Sequence, residues 1–432
     1  MVREGEEVHL SIQFVRPELL DREPPSPPES PELGRRLEET VAWWREWASR
    51  VRLDGPFGPG AVRSAMLLKA LTHAPTGAMV AAPTTSLPEI IGGSANWDYR
   101  YSWIRDSSFA ARVLTELGRD EEADGFRRFV ERSAAGQADD LQIAYGVGGE
   151  RRIDEFELSH VEGYRGSRPV RIGNQAARQV QLDVYGYLLD LSWRWHERGN
   201  SPDDDYWRFL VDLVDAAAAR WGEPDRGIWE VRGRPQHFVH SKVMCWAAID
   251  RGLGLARECS RKAPVRRWTK ARDEIRRAIE RQGFDRRRGV YVRAFGTRAM
   301  DAALLLLPSV GFVDYADERM IRTTDAIREE LGEAGLLRRF SPRREGGRSE
   351  GVFLPCSFWL VEDLVRQDRV EEAREVFDGA VATANDLGLF SEQFDPTTGE
   401  MLGNFPQGLT HLSHIAAAVA LTAAATAAAA PT

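Results

Sequence analysis

Segments with helical apolar spacing recur from residue 61 to the end of the chain, and the loops between them are alternately long and short. Apolar residues that return every three or four positions predict an amphipathic helix. Twelve candidate helices lie at about 61–74, 104–117, 119–133, 175–197, 204–221, 239–257, 264–282, 299–307, 316–331, 355–367, 370–386 and 409–428. Long loops follow the odd-numbered helices, and short loops follow the even-numbered ones. This alternation predicts six helical hairpins.

Hairpins of this kind can close into a ring of inner and outer helices, which is an all-α architecture. All the long loops would then open on one rim, because each short turn reverses the chain at the other end. Binding and catalytic residues accumulate on loops that a rigid scaffold holds in place. We therefore expect the functional site at the long-loop rim.

Composition argues against two classes of partner. The chain has 432 residues and a net charge of −8, and its arginines are spread along the predicted helices instead of forming one basic stripe. This distribution argues against nucleic acid as a partner. No run of eighteen apolar residues is found, and the alanine-rich run at 415–430 contains threonines and is interpreted as the closing helix of the ring. We therefore expect no membrane partner.

The start of the chain and its cysteines bear on location. The first residues, Met-Val-Arg-Glu-Gly-Glu-Glu, are acidic and lack the apolar core of a secretory signal. Cys245, Cys259 and Cys356 are odd in number and widely spaced, as expected of thiols in a reduced compartment. The sequence therefore predicts a cytoplasmic protein.

Residues 7–15 alternate between polar and apolar side chains in the manner of a β-strand. A lone strand cannot bury its own face, so it needs a partner or stays an exposed edge. Pairing through this strand would make a homo-oligomer or recruit another protein. A stiff proline-rich linker at 22–31 follows the predicted strand.

An amphipathic helix is predicted after the linker, with its apolar face at 33–51. We interpret it as a strut on the outside of the ring. The predicted division is therefore a strand and linker at 1–31, a strut helix and connection at 32–60, and a catalytic ring at 61–432.

Tryptophans of the predicted loops differ in setting from those of the predicted helices. Those that fall on helical apolar stripes have the setting of core residues. Trp97, Trp103 and Trp229 instead lie in or at the end of long loops, beside charged residues. Aromatic rings cover the apolar faces of sugars while neighbouring charged groups bond the hydroxyls. Trp97 and Trp229 are therefore candidate substrate-binding residues.

The segment NWDYRYSWIRD at 96–106 combines charged and aromatic side chains most densely. Asp106 is a candidate N-cap of the second helix, and capping alone would explain it. Capping does not explain why Asp98, Arg100 and Arg105 lie in the same segment. That arrangement suits a polyhydroxylated ligand held by charge-assisted hydrogen bonds.

Two glutamates in long loops form a candidate catalytic pair. Glu230 follows the apolar residues Ile228 and Trp229, and an apolar shell favours a protonated carboxyl, which suits a general acid. Glu392 lies in Ser-Glu-Gln, where polar neighbours favour the carboxylate of a general base. One protonated and one ionised carboxyl are what glycoside hydrolysis requires. Either glutamate taken alone would more often be a solvated surface group.

Two histidine pairs, His237 with His240 and His411 with His414, have an i, i+3 spacing that can bind a metal. No third ligand set is evident near either pair, and the motif His-Glu-x-x-His is absent from the sequence. We therefore expect no metal and no other cofactor.

Six segments together resemble glycoside hydrolase family 15, in particular its bacterial glucoamylase-like and trehalase branch. They are NWDYRYSWIRD (96–106), LQIAYGVGGERR (141–152), GSRPVRIGNQAA (166–177), GIWEVRG (227–233), HFVHSKVMCWAA (237–248) and SEQFDPTTGEMLGNFPQGLTHLSH (391–414). The resemblance covers residue 61 to the end. It implies an (α/α)6 barrel and inverting hydrolysis of α-glucosidic bonds from the non-reducing end.

The resemblance also implies roles for single residues. Glu230 matches the general acid of the family, and Glu392 matches its general base. Arg105 and Asp106 match the pair that holds glucose in the −1 subsite, and Trp229 matches the tryptophan before the acid.

Two departures from the family pattern are visible. Val231 follows the acid where fungal glucoamylases have a second glutamate that binds the next sugar. Full-length bacterial relatives of the family carry a large amino-terminal β-sandwich, and the resemblance implies that this chain starts near the last strand of that domain.

We expect a small α-glucoside as substrate, with trehalose first and maltooligosaccharides second. The long loops offer Arg165, Arg168, Arg171 and His237 near the acid to hold the second sugar of trehalose. Lys242, at the start of the sixth helix, either lines the site or pairs with a structural carboxylate. A catalytically impaired sugar-binding protein and a phosphorolytic enzyme are the alternatives.

Overall fold

The helices of the computed structural model lie close to the places that the apolar spacing predicts. The structure describes residues 3, 5, 6, 8–13, 15, 28–134, 138, 141–340, 344, 345 and 348–429. Its α-helices over these residues are α1 Ser30–Ser49, α2 Gly58–Leu71, α3 Ile104–Glu116, α4 Asp120–Ser133, α5 Asp183–Glu197, α6 Asp204–Arg220, α7 Val239–Glu258, α8 Val265–Gln282, α9 Glu318–Leu331, α10 Leu354–Arg366, α11 Val370–Val381 and α12 Gly408–Ala429.

Two predicted helices differ from the observed ones. The segment predicted at 175–197 starts with a short 3-10 turn at Gln175–Arg178, and α5 begins only at Asp183. Between them, the backbone bonds to another loop instead of to itself: Val180 O accepts from Arg226, and the Leu182 amide donates to Asp225. These tertiary bonds use the groups that a continuous helix would need.

The helix predicted at 299–307 is a 3-10 helix at Ala302–Leu306, followed by a second one at Pro308–Val310. Pro308 has no amide hydrogen and cannot continue an α-helix through this point. Asp301 caps the first 3-10 helix, since its carboxylate accepts from the Ala303 amide at 2.9 Å. This short element takes the place of the eighth helix.

An inner ring of six elements closes on itself. Its members α3, α5, α7, the 3-10 helix Ala302–Leu306, α10 and α12 each contact the next, and α12 contacts α3. Each outer helix, α2, α4, α6, α8, α9 or α11, packs against a member of this ring. The fold is therefore an (α/α)6 barrel, and the predicted ring of hairpins is confirmed.

Burial follows the two rings. In α10, every residue from Leu354 to Val365 is buried, as expected of a helix enclosed on all sides. The outer helix α8 buries only one stripe, which includes Trp268, Ile275 and Ile279. The single buried stripe of α8 explains its clearly amphipathic sequence.

The long loops are stiffened by short antiparallel strand pairs. The strands are β1 Ser102–Trp103, β2 Ala144–Tyr145, β3 Phe156–Glu157, β4 Arg171–Ile172, β5 Phe284–Asp285, β6 Val290–Tyr291, β7 Gly332–Glu333, β8 Leu336–Leu337, β9 Arg344–Glu345, β10 Arg348–Ser349, β11 Val352–Phe353, β12 Gln393–Asp395 and β13 Glu400–Leu402. Pairing joins β1 to β2 and β3 to β4, and β11, β12 and β13 form one sheet. These pairs fix the loops at one rim of the barrel.

The chain divides into two units, Met1–Val51 and Arg52–Thr432. In the first unit, α1 confirms the predicted amphipathic helix, whereas its packing as a strut stays a prediction. The strand predicted at 7–15 is wrong for the residues described there, because 8–13 and 15 are irregular and mostly exposed. Among the described residues, no strand pairs with 8–13 or 15, and a strand without a neighbouring strand is not stable in water. Residues 22–27 of the predicted linker lie outside the described residues.

One helix, α12, is long and apolar enough to cross a membrane by length and composition. Its first half is buried within the inner ring, where it contacts α2, α3 and α10. A closing helix of a barrel core has the same composition, so the observation agrees with the interpretation made from sequence.

Candidate active site

A cavity of about 520 Å³ opens at the long-loop rim of the barrel. Six of the predicted site residues line it: Glu230, Glu392, Arg105, Trp229, Trp97 and Arg171. They come from four long loops and from the first turn of α3. The size falls in the ~300–1,000 Å³ range of small-molecule sites.

Glu230 lies in a tight turn of the loop between α6 and α7. Its φ of 55° is in the left-handed region, which is unusual for a residue with a side chain. The Glu230 amide donates to Gly227 O at 3.1 Å, and its carbonyl accepts from Gln179 Nε2 at 3.2 Å. Strain of this kind persists where the surroundings fix the backbone, and it concentrates at functional sites.

Trp229 is fixed on several sides, which in turn orients the adjacent Glu230. Its indole nitrogen donates to Asp301 Oδ1 at 2.7 Å. Its ring stacks on Trp359, with centroids 5.8 Å apart, and meets Phe353 edge to face at 5.3 Å. Trp229 therefore forms a rigid wall of the cavity.

Arg105 joins the acid loop to the barrel. Its Nη1 donates to Ile228 O at 2.7 Å and approaches Glu230 Oε1 at 3.3 Å, while its Nε donates to Asp106 Oδ1 at 2.6 Å. Asp106 is fully buried in the first turn of α3 and does not line the cavity. It is not the N-cap that we predicted, because Trp103 occupies that position. Asp106 instead holds the Arg105 guanidinium.

The surroundings of Glu230 favour its protonated form. Burial raises the pKa of this carboxyl, although the Arg105 guanidinium beside it favours the charged form. The direction agrees with the apolar shell inferred from Ile228 and Trp229.

Glu392 is held through one oxygen only. Tyr99 donates its hydroxyl to Glu392 Oε1 at 2.8 Å. The second oxygen, Oε2, is buried and has no hydrogen-bond partner among the residues that the structure describes. Buried polar atoms that lack a protein partner are commonly bonded by ordered water molecules.

The pKa of Glu392 is raised to about 8, first by burial and then by the nearby Glu89 carboxyl. The direction is opposite to the one that we expected from Ser391 and Gln393. Ser391 does not stabilise the carboxylate, because its hydroxyl donates to the carbonyl of Gln393 at 2.7 Å. Arg339 and the Tyr99 hydroxyl are the groups that favour the charged form.

A buried cluster of charges lies beside Glu392. Arg339 Nη2 lies 2.7 Å from Glu89 Oε2 and 2.8 Å from Glu350 Oε1, so two carboxylates share one guanidinium nitrogen. Glu89 also accepts from the indole nitrogen of Trp97 at 2.8 Å. The charge of Arg339 is thus largely engaged by Glu89 and Glu350.

Several predicted site residues lie outside the cavity, and their predicted sugar contacts are corrected. Asp98 is fully buried and bonds Arg100 through both oxygens, at 2.8 and 2.7 Å, so the pair braces its own loop. Arg168 is exposed and bonds the carbonyl of Glu162. Each side chain is engaged by the loop that carries it.

His237 and Lys242 are also outside the cavity. The His237 ring stacks on Phe295 at a centroid distance of 5.9 Å. Lys242 is fully buried and donates to the carbonyl of Glu223, so neither role proposed for it is observed. Arg165, which we expected near the second sugar, pairs with Glu400.

The cavity contains polar residues that sequence reasoning did not single out. They are Glu89, Ser94, Tyr99, Asn174, Arg232, Arg339 and Glu350. Tyr99 lay within the segment 96–106, where an aromatic next to charged residues was a usable signal. Glu89 and Arg339 stand in segments without distinguishing composition, and their pairing across 250 positions was not readable.

The two histidines of α12 bond a serine instead of forming a metal centre. Ser64 Oγ lies 2.8 Å from His411 Nδ1 and 2.9 Å from His414 Nδ1. In the part of the chain that the structure describes, no three His, Cys, Asp or Glu side chains group as metal ligands.

Comparisons with known proteins agree with the fold and the motifs. The sequence profile described as Glycosyl hydrolases family 15 matches residues 55–419. A trehalase of Mycolicibacterium smegmatis is 43% identical over 423 residues, which make up 96% of this chain and 62% of that protein. A trehalase of Thermoplasma acidophilum is 41% identical over 381 residues, which make up 88% of this chain and 65% of that protein. The chain therefore spans less than two thirds of the length of these curated relatives.

Among solved structures, a bacterial glucoamylase complexed with acarbose has a TM-score of 0.67 at 13% identity, over 92% of this chain and 62% of that chain. At this level of identity, the likeness concerns the barrel alone.

Proposed function

The chain belongs to glycosyl hydrolases family 15, and from this premise we propose that it is an inverting, exo-acting α-glucoside hydrolase that releases β-D-glucose. One observation carries the proposal. Glu230 and Glu392, from different long loops, line a single cavity, and Oε2 of Glu392 has no hydrogen-bond partner among the described residues. Two carboxyls in one cavity, the first with its protonated form favoured and the second with an oxygen that no described residue bonds, suit the acid and the base of inverting hydrolysis.

In this mechanism, Glu230 donates its proton to the glycosidic oxygen while the bond to the anomeric carbon breaks. Glu392 Oε2 accepts a proton from a water molecule, whose oxygen forms the new bond on the opposite face of the sugar. Glu230 ends ionised and Glu392 ends protonated, so the charges balance. Two carboxyls that work in this way stand about 6.5–9.5 Å apart.

The residues around the pair hold the reacting glucose. Arg105 lies 3.3 Å from the acid and supplies charge-assisted bonds to hydroxyls. Trp229 forms an apolar wall, and Tyr99 fixes the orientation of the base. Asp106 acts indirectly, by holding Arg105.

Trehalose is the proposed substrate. Support comes from the two relatives named above, both of which are trehalases, and from Arg171 and Arg232 on the cavity wall, which suit the hydroxyls of a compact second sugar. Maltooligosaccharides are the second candidate, favoured by the barrel shared with a glucoamylase. A cytoplasmic location stays a prediction.

Substrate and stereochemistry can be tested in one experiment. The protein is incubated with trehalose, maltose, isomaltose and maltotriose, and early product is followed by proton NMR. We expect β-glucose first, and a kcat/KM for trehalose at least ~10-fold above that for maltose, which needs only about 1.4 kcal/mol of differential transition-state binding. Initial α-glucose would contradict inversion, and a preference for long maltooligosaccharides would make the protein a glucoamylase.

A further inference from the structure

Arg232 extends from the loop that carries the acid to a neighbouring long loop. Its Nη2 lies 2.8 Å from Glu155 Oε2, and its Nη1 lies 3.4 Å from Glu155 Oε1. The guanidinium carbon stands 4.0 Å from the ring centroid of Trp97. Arg232 and Trp97 both line the cavity. Arg232 therefore bridges three long loops at the cavity wall, because its ion pair reaches the loop of Glu155 and its cation–π contact reaches the loop of Trp97.

Glu155 is a fixed anchor for this bridge. It accepts from the backbone amide of Gln175 at 3.2 Å and lies 3.4 Å from Arg171 Nε. Burial opposes its ionisation, but the hydrogen bonds from Arg232 and Gln175 outweigh burial and lower the pKa of Glu155. Arg171 is itself held by the carbonyls of Ser94 and Asn96, at 2.9 and 3.0 Å.

Arg232 lies in the same loop as the acid, two residues after Glu230. Trp97, Arg171 and Arg232 all line the cavity that contains Glu230. The glycosidic oxygen must lie against Glu230, so a second sugar bound in this cavity extends along the walls next to the acid, where Arg232 is a candidate contact.

We propose that Arg232, held by Glu155 and Trp97, is a specificity-determining residue that closes the leaving-sugar subsite around one compact ring. This inference rests on the proposed function. The Nε–H of Arg232 has no partner among the described residues, so it can donate to a sugar hydroxyl while the two Nη groups stay on Glu155. A third sugar unit would need the space that the guanidinium fills.

A purely mechanical role for the bridge makes a different prediction. If the bridge only held the acid loop in place, its loss would displace Glu230 and slow every substrate by the same factor. A subsite wall affects substrates according to what lies beyond the glycosidic oxygen. Substrates that share the reacting glucose and differ in the leaving group therefore separate the two roles.

The test uses the full chain with trehalose, maltotriose and p-nitrophenyl α-glucoside. Arg232→Ala is expected to lower kcat/KM for trehalose by at least ~10-fold and to raise the ratio of maltotriose to trehalose turnover. Turnover of p-nitrophenyl α-glucoside, whose leaving group has no sugar hydroxyls, should fall much less. Arg234→Ala is the matched control, because Arg234 is an exposed arginine of the same loop that does not line the cavity.

Two further variants keep the test decisive if Arg232→Ala folds poorly. Arg232→Lys keeps the charge but loses the planar fork, and Glu155→Gln keeps Arg232 but removes its charged anchor, so each should shift the substrate ratio in the same direction and by less. An equal loss on all three substrates, or an unchanged ratio, overturns the inference while the hydrolase assignment stands. A wild-type protein that cleaves none of the glucosides overturns the proposed function, and the inference falls with it.

Discussion

At the scale of single residues, the most direct prediction concerns Glu230 and Glu392, the proposed acid and base. Glu230→Gln and Glu392→Gln each remove a proton transfer, and we expect kcat to fall at least ~100-fold in each variant, the low end for losing a positioned acid or base. Circular dichroism should show an unchanged fold. Arg168→Ala and His237→Ala are suitable controls, because both side chains lie outside the cavity and should turn over substrate at near wild-type rates.

Glu89 adds a prediction on pH dependence. Glu392 must be ionised to act as a base, and the neighbouring Glu89 carboxyl is one reason for its raised pKa of about 8. The low-pH limb of kcat/KM should therefore lie above the range of an ordinary carboxyl, and Glu89→Gln should move it toward lower pH. The glutamine oxygen can still accept from Trp97, so the wall should keep its shape.

Glu350→Gln is the matched control for that measurement. Glu350 shares Arg339 with Glu89, yet its carboxyl is not among the groups that raise the pKa of Glu392. The pH profile of this variant should move less than that of Glu89→Gln. Equal pH profiles of kcat/KM for the wild type and Glu89→Gln would show that Glu89 does not raise the pKa of Glu392.

At the scale of elements, the cap of the 3-10 helix Ala302–Leu306 affects both the stability of the barrel and the position of the acid. Asp301 caps Ala302–Leu306 and also accepts from Trp229, the residue before the acid. Asp301→Ala should cost about 0.5–2 kcal/mol for the cap and should also lower kcat, because Trp229 loses its fixed orientation. Thermal unfolding and steady-state kinetics measure the two effects.

Asp317→Ala separates capping from catalysis. Asp317 caps the outer helix α9 from the opposite rim, where its carboxylate accepts from the Arg319 amide at 2.9 Å. The two variants should lose similar stability, but only Asp301→Ala should lose kcat. If both variants keep full kcat, the contact between Asp301 and Trp229 has no part in placing the acid.

The sequence predicted helices of both rings with similar accuracy. The outer helices α8 and α9 and the inner helices α3, α7, α10 and α12 were placed within about two residues of their observed ends, whereas the outer helix α11 ends five residues before its predicted end. The eighth segment is apolar at every position except Asp301, and its spacing could not distinguish a 3-10 helix from an α-helix. The start of α5 depended on bonds to Asp225 and Arg226 from another loop, which no local pattern contains.

Site residues could be predicted where their neighbours in the sequence indicated their role. Glu230, Trp229 and Arg105 line the cavity as expected, because apolar or charged neighbours in the chain marked them. Charge density alone was a poor guide, since Asp98 and Arg100 bond each other. The pKa of Glu392 was expected in the wrong direction, because it is raised by burial and by the Glu89 carboxyl, which reaches it from a distant loop.

At the scale of the whole molecule, buried groups make stability depend on pH. Burial and the nearby Asp225 carboxyl raise the pKa of Asp183 to about 8, and Glu392 has a similarly raised value. Burial lowers the pKa of His240 to about 3 and that of His414 to about 4. The ordinary values are about 4 for the acids and about 6.5 for histidine.

As the pH rises, the raised pKa values of the acids lower the free energy of unfolding, whereas the lowered pKa values of the histidines increase it. Between pH 4 and 8, the folded protein holds the acid protons that the unfolded chain has lost, so stability falls as the pH rises. The histidines oppose this only below pH about 6.5, where the unfolded chain binds their protons. We therefore expect the melting temperature to fall between pH 6.5 and 8. Asp183→Asn should make this fall in melting temperature shallower, because the variant lacks one of the acids whose pKa is raised.

Glu372→Gln is the control. The pKa of Glu372 is lowered to about 2, so its contribution to stability is constant between pH 6.5 and 8. The melting temperature of this variant should therefore change with pH in parallel with that of the wild type. Parallel curves for Asp183→Asn and wild type would show that Asp183 is already ionised in the folded barrel.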